Sequence, residues 1–138
     1  MALNEVRLSV VLLAALAATG CGSLDSCENR IITSVPSPGG TRQAVVFERG
    51  CGATTETSTQ VSVLGPQEHL LEVPTAWSRT EPANAAVFKP ERGAPAPSVE
   101  IVWTGPSTLR IEYGYEAKLM SPRRTVDDIS VLYERKSH

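Results

Sequence analysis

The chain has 138 residues, with 13 Lys or Arg against 15 Asp or Glu, for a formal net charge of −2. This near-balance leaves no electrostatic footprint for nucleic acid or anionic headgroups, and the length allows one domain and little more. Gly and Pro number ten each while aromatics make up only 5%, the composition of a turn-rich all-β chain rather than a helical bundle.

The chain opens MALNEVRLSVVLLAALAATG. Leu8 to Ala18 is an unbroken run of apolar and small residues with a single Ser. Such a run is too short to span a bilayer, which needs roughly 20 residues, and it matches the apolar region of a secretory signal. Arg7 is offset by Glu5, so the charge ahead of the run is weak. Ala18-Thr19-Gly20-Cys21 follows and resembles the lipobox of bacterial lipoproteins, with Ala18 where Leu is usual. Small side chains let an extended backbone enter a peptidase cleft, and the thiol is the only group there that can take a diacylglycerol thioether. The expected organisation is a helical, cleaved signal peptide over residues 1–20, lipidation at Cys21, a tether over 21–30, and a single β-rich domain over 31–138. Gly22, rather than Asp, follows the lipidated position, which favours the outer membrane in a host that has one.

Cys27 and Cys51 remain. An even pair in an exported chain reads as a disulfide. Its loop would contribute roughly 3 kcal/mol in the chain-entropy account. A zinc site or catalytic thiol is the rival, but two Cys with one internal His, His69, make a poor four-ligand set.

Short apolar runs then recur between turn signals. Ile31 to Val35 is followed by Pro36-Ser37-Pro38-Gly39-Gly40. In Gln43 to Arg49, Val45 and Phe47 fall on one face and Ala44 and Val46 on the other, the mark of a central strand. Thr54 to Thr59 is mostly Thr and Ser and leads into Val61-Ser62-Val63, which predicts a strand with a wet face. Leu70 to Val73 is a weak strand candidate, Pro74 to Asn84 a loop containing Trp77, and Ala85 to Phe88 a short strand. The last third alternates most cleanly: Val99, Ile101 and Trp103, then Leu109, Ile111 and Tyr113, then Ile129, Val131 and Tyr133. The first two of these form a hairpin around Gly105-Pro106-Ser107. About six or seven short strands predict a small antiparallel meander or sandwich, and no segment after the signal shows helical periodicity.

Residues 35–64, VPSPGGTRQAVVFERGCGATTETSTQVSVL, resemble a motif in small uncharacterised bacterial proteins, many of them lipoproteins. There a Ser-Pro-x-Gly turn leads into an AVVFER-type strand, a CGATT segment and a STQVSVL strand, followed by a Trp-bearing hairpin matched here by Trp103 to Tyr113. The resemblance implies a compact β domain and carries over no activity and no catalytic residue. The Ser-Pro-x-Gly turn is also similar to the strand-turn repeat of periplasmic β-propellers, but the chain has room for one blade-like unit at most.

No GxSxG, HExxH, GxGxxG or phosphate-loop pattern occurs. His69, beside Glu68 after a Gly-Pro turn, reads as a solvated loop residue. Asp127-Asp128 reads as strand-edge solvation, since neighbours on a strand face opposite ways, and Arg123-Arg124 as an exposed loop. A carboxylate pair assembled only by the fold, such as Glu56 with Glu100, stays open. Trp77 is the best candidate for a partner contact, because loops carry function, although packing over a sheet edge is the plainer expectation. Trp103 belongs in the core. These readings lead to a non-enzymatic envelope lipoprotein with no cofactor, whose partners are the membrane, through Cys21, and an unknown envelope protein. An inhibitor or immunity-type protein acting on an envelope enzyme is the alternative, favoured by an exposed Trp77 loop. A hydrolase comes third and calls for a deep pocket with convergent polar groups.

Overall fold

A computed structural model describes residues 26–52 and 55–137, so the signal segment and Cys21 lie outside the described residues. Among the described residues there is no helix and there are nine strands: β1 (Glu28–Pro36), β2 (Gln43–Gly50), β3 (Ser58–Leu64), β4 (Ala86–Pro90), β5 (Val99–Gly105), β6 (Thr108–Tyr113), β7 (Ala117–Leu119), β8 (Thr125–Val126) and β9 (Ile129–Arg135). They form a five-stranded sheet in the order β1-β2-β3-β4-β7 and a four-stranded sheet in the order β5-β6-β9-β8. The architecture is therefore a small β-sandwich, as the alternation predicts. Two strands exceed the expected number, because β7 and β8 have only three and two residues and leave no periodic trace.

All neighbours in the first sheet are antiparallel. The second sheet departs from a meander, since β6 and β9 run parallel. After β6 the chain crosses to the first sheet for β7 and returns for β8 and β9, so β9 enters alongside β6 in the same direction. Residues 28–30, expected in the tether, already pair with β2.

The core follows from period-2 alternation on the facing sheets. Ala44, Val46, Val61, Val63, Ala86 and Phe88 come from the first, and Leu109, Ile111, Ile129 and Val131 from the second. The Phe88 and Tyr113 rings meet across the gap at 5.1 Å. Trp103 packs against this core as expected, and its indole N–H donates to Val35 O at 2.9 Å, joining β5 to the edge strand β1. The Tyr133 hydroxyl lies 2.6 Å from Arg123 O and 3.0 Å from Ala85 O, which share its one proton, and accepts from Arg123 N–H. Its burial raises the phenol pKa, with the Arg123 backbone contact opposing.

β2 is buried on both faces, as its sequence predicts. Val45 and Phe47 point away from the sandwich core, opposite Ser62 and Gln60 of β3. The strand with a wet face expected for residues 54–59 is thus corrected: Thr55, Glu56 and Thr57 are exposed but precede β3, while Ser58 and Thr59, with Gln60 and Ser62 after them, lie in β3 and are buried. The segment between β3 and β4 lies over this outer face. Ala83 N–H donates to Gln60 Oε1 at 2.8 Å and Asn84 N–H to Ser62 Oγ at 3.2 Å. The Asn84 amide also accepts from Val63 N–H and donates to Val63 O, at 2.8 and 2.7 Å, standing in for a strand neighbour. The strand candidate Leu70–Val73 is irregular, part of this cover.

Asp127 and Asp128 are the two-residue turn of the β8–β9 hairpin, and Asp127 takes a left-handed backbone with φ 50°. Instead of facing opposite ways on a strand, both carboxylates meet Arg42, at 3.3 and 2.6 Å.

Candidate functional site

Three residues singled out from sequence, Cys27, Cys51 and Trp77, fall at the N-terminal end of β1. The β1–β2 register sets Glu28 opposite Gly50, so one step further out Cys27 stands opposite Cys51. The two are joined by a disulfide, with Cα atoms 4.0 Å apart. Antiparallel pairing itself brings these thiols together, and neither is free as a nucleophile or metal ligand.

Beside the disulfide is a buried polar clamp. Asn29 is 3% exposed. Its Nδ2 donates to Leu71 O at 3.1 Å and Glu81 O at 3.0 Å, while its Oδ1 accepts from Arg49 at 2.8 Å. Its backbone N–H donates to Glu72 O at 2.7 Å. Arg49 also donates to Thr80 Oγ1, Thr80 O and Glu81 O, and the Thr80 hydroxyl donates to Cys27 O. Burial lowers the Arg49 pKa, with the charge of Glu81 opposing. This arrangement satisfies the buried amide and the half-buried guanidinium, as polar groups drawn out of water require. It pins both stems of the segment between Glu72 and Thr80.

Between these stems the chain closes a turn. Thr75 N–H donates to Ser78 O at 2.8 Å, and Thr75 Oγ1 accepts from Trp77 N–H and Ser78 N–H at 3.3 and 3.0 Å. Trp77 sits on this turn and is 97% exposed. The expectation that it packs over a sheet edge is corrected: the clamp holds the stems down, and the turn between them has no side chain from the sheet to cover the indole. Val73 on the first stem is also exposed, as are Ile31 and Ile32 on β1.

A cleft of about 680 Å³ opens on the same end, lined in part by Glu28, Arg30, Glu48, Thr57, Glu72 and Val73. Arg30 pairs with Glu48, and Glu72 accepts from Ile31 N–H through Oε1 at 3.0 Å. Two of the three carboxylates lining it are thus engaged in holding β1, and the cleft is open to solvent.

Other candidates lie apart from this end. His69 is exposed after the Gly65-Pro66 turn, and Arg123 and Arg124 are exposed in the segment before β8. Glu56 lies near Lys89 and Arg92 by the first sheet. Glu100 stands on the outer face of the second sheet, 2.8 Å from Lys136, an ion pair that raises the Lys136 pKa. The fold therefore does not bring Glu56 and Glu100 together. Among the described residues no three His, Cys, Asp or Glu side chains form a metal-holding group, and no helix is long and apolar enough to cross a membrane.

Sequence reasoning found Cys27, Cys51 and Trp77 but missed Asn29, Arg49 and Thr80. No local signal marks these three, since each acts on partners 20 to 53 positions away. No family model, curated protein or solved structure matches the chain.

Proposed function

We propose that the chain is a lipid-anchored envelope protein, fixed to the bilayer through Cys21, whose β-sandwich serves as a non-catalytic binding or structural module. The observation that carries this reading is the apolar run Leu8–Ala18 ending in Ala18-Thr19-Gly20-Cys21, the arrangement of a lipoprotein signal. The Cys27–Cys51 disulfide fits an oxidising compartment outside the cytoplasm. Thioether and N-linked acyl chains together meet the requirement for stable anchoring. The non-catalytic part is supported by the oxidised Cys pair, the open cleft and the separation of Glu56 from Glu100, since catalysis by acid–base or nucleophilic groups needs them within hydrogen-bond reach of one another.

A second reading, an inhibitor or immunity-type protein that blocks an envelope enzyme through a loop, is favoured by the bare indole of Trp77. The anchor is tested by feeding cells an alkyne fatty acid. The wild-type chain takes the label and Cys21→Ser does not. An unlabelled wild type recovered in the soluble fraction overturns the anchor. Turnover in a hydrolase panel that survives repurification and disappears on substituting His69 overturns the non-catalytic reading.

A further inference from the structure

We infer that the Trp77 turn is a second membrane contact, seated in the headgroup region of the bilayer that carries the Cys21 lipid. This rests on the lipid-anchor reading above, and it gives the exposed turn one occupant. Three observations carry it.

The first is the state of the indole. Trp77 is almost fully exposed yet is not on a free end: the turn is closed by the Thr75 hydroxyl and its stems are clamped by Asn29 and Thr80. An indole held out in this way is presented to something. A Trp ring with its N–H suits the boundary between headgroups and acyl chains, one side apolar and the other wet.

The second is position. Thr80 bonds Cys27 O, and Trp77 is three residues from Thr80, so its Cα lies within about 11 Å of the Thr80 Cα. Cys21 is six residues from Cys27, a tether of at most about 22 Å when fully extended. The turn thus stands at the end of the domain from which the tether leaves, and the tether is too short to let that end move far from the surface. A soluble enzyme offering a cleft to Trp77 would have to enter the gap between domain and bilayer, which the short tether keeps narrow.

The third is the setting. Glu72 bonds the backbone of Asn29 and Ile31 through its carbonyl and carboxylate, so the stem that carries exposed Val73 is fastened to the strand that carries exposed Ile31 and Ile32. Arg79 follows Trp77 by two positions and is exposed, a cation on the stem that leaves the turn. This end carries exposed apolar residues with the cations Arg30 and Arg79 among the carboxylates of Glu28 and Glu72, and its apolar part suits an interfacial contact.

The test uses the full chain, expressed with its signal, purified from membranes and reconstituted into vesicles of phosphatidylethanolamine and phosphatidylglycerol, with and without brominated phosphatidylcholine. Intact mass and vesicle flotation are read on the same samples. The expected result is an acylated, floating chain whose indole emission is quenched by the brominated lipid, with most of that quenching lost in Trp77→Phe. Trp103, tucked against the core and bonded to Val35 O, contributes little. An acylated, floating chain with equal quenching in wild type and Trp77→Phe overturns the inference and leaves the anchor standing. A chain that is neither acylated nor floating overturns the anchor and the inference with it. A photocrosslinker at position 77 that captures protein instead of lipid in cells also overturns the inference, in favour of a protein partner.

Discussion

Asn29→Ala tests whether the polar clamp, rather than apolar packing alone, holds the cover over β2 and β3. The substitution removes two donors to backbone carbonyls and one acceptor for a guanidinium, all at 2.8–3.1 Å and from a side chain 3% exposed. At about 1 kcal/mol for each neutral bond and about 1.5 kcal/mol for the charge-assisted one, with part returned as water enters, the loss is about 3 kcal/mol. Asn29→Asp restores an acceptor for Arg49 but turns a carboxylate toward the carbonyls of Leu71 and Glu81, so it recovers only part and stays destabilised by about 2 kcal/mol. Urea unfolding of residues 22–138, purified from an oxidising compartment, measures both, with the m-value unchanged. Hydrogen exchange locates the effect: amides of the cover such as Ala83 and Asn84 lose protection while Val46 and Ile111 in the strands keep theirs. A loss under about 1 kcal/mol with cover protection unchanged would refute the clamp.

Phe47→Ala, on the face of β2 outside the sandwich core, costs about 3–5 kcal/mol if the cover seals that face, whereas Trp77→Ala stays within about 0.5 kcal/mol; paired denaturation curves separate the two. Replacing Cys27 and Cys51 together with Ser opens a loop of sequence separation 24 and lowers stability by about 3 kcal/mol in the chain-entropy account, read as a midpoint shift matched by the reduced wild type. The Tyr133 phenol has a raised pKa in the fold, so the native state holds that proton more tightly than the unfolded chain. Its contribution is complete below the ordinary phenol value of about 10 and is lost as pH rises through the raised value. Tyr133→Phe therefore flattens the fall of stability at alkaline pH, while costing about 1 kcal/mol at neutral pH through the lost bond to Arg123 O, since Ala85 O keeps the Arg123 N–H.

How much was legible in the sequence depends on whether a residue's partner is local. Strands β5, β6 and β9 were readable because one face alternates apolar residues against Glu100, Glu112 and Ser130, and burial on one side imposes period two. β2 was readable as central because both its faces are apolar. The parallel β6–β9 pair was not, because it follows from where the chain crosses between sheets, and β7 and β8 are too short to show a period. The buried hydroxyl face of β3 looked like a solvated one, since Ser and Thr suit either until a cover supplies their hydrogen-bond partners. The exposure of Trp77 was equally hidden: it depends on Asn29 and Thr80 fixing the stems of its turn from elsewhere in the chain. The Asp127-Asp128 turn did carry a usable signal, two short-chain acidic residues between Thr125-Val126 and Ile129-Ser130 at hairpin spacing.

The measurement that bears most directly on the account is the mass of the N-terminal peptide of the protein recovered from its native membrane. A lipid-anchored protein yields a chain that begins at Cys21, carries a diacylglycerol thioether on that sulfur and floats with the membrane fraction. A chain retaining residues before Cys21, or one beginning at Cys21 with an unmodified thiol and recovered in solution, would contradict it.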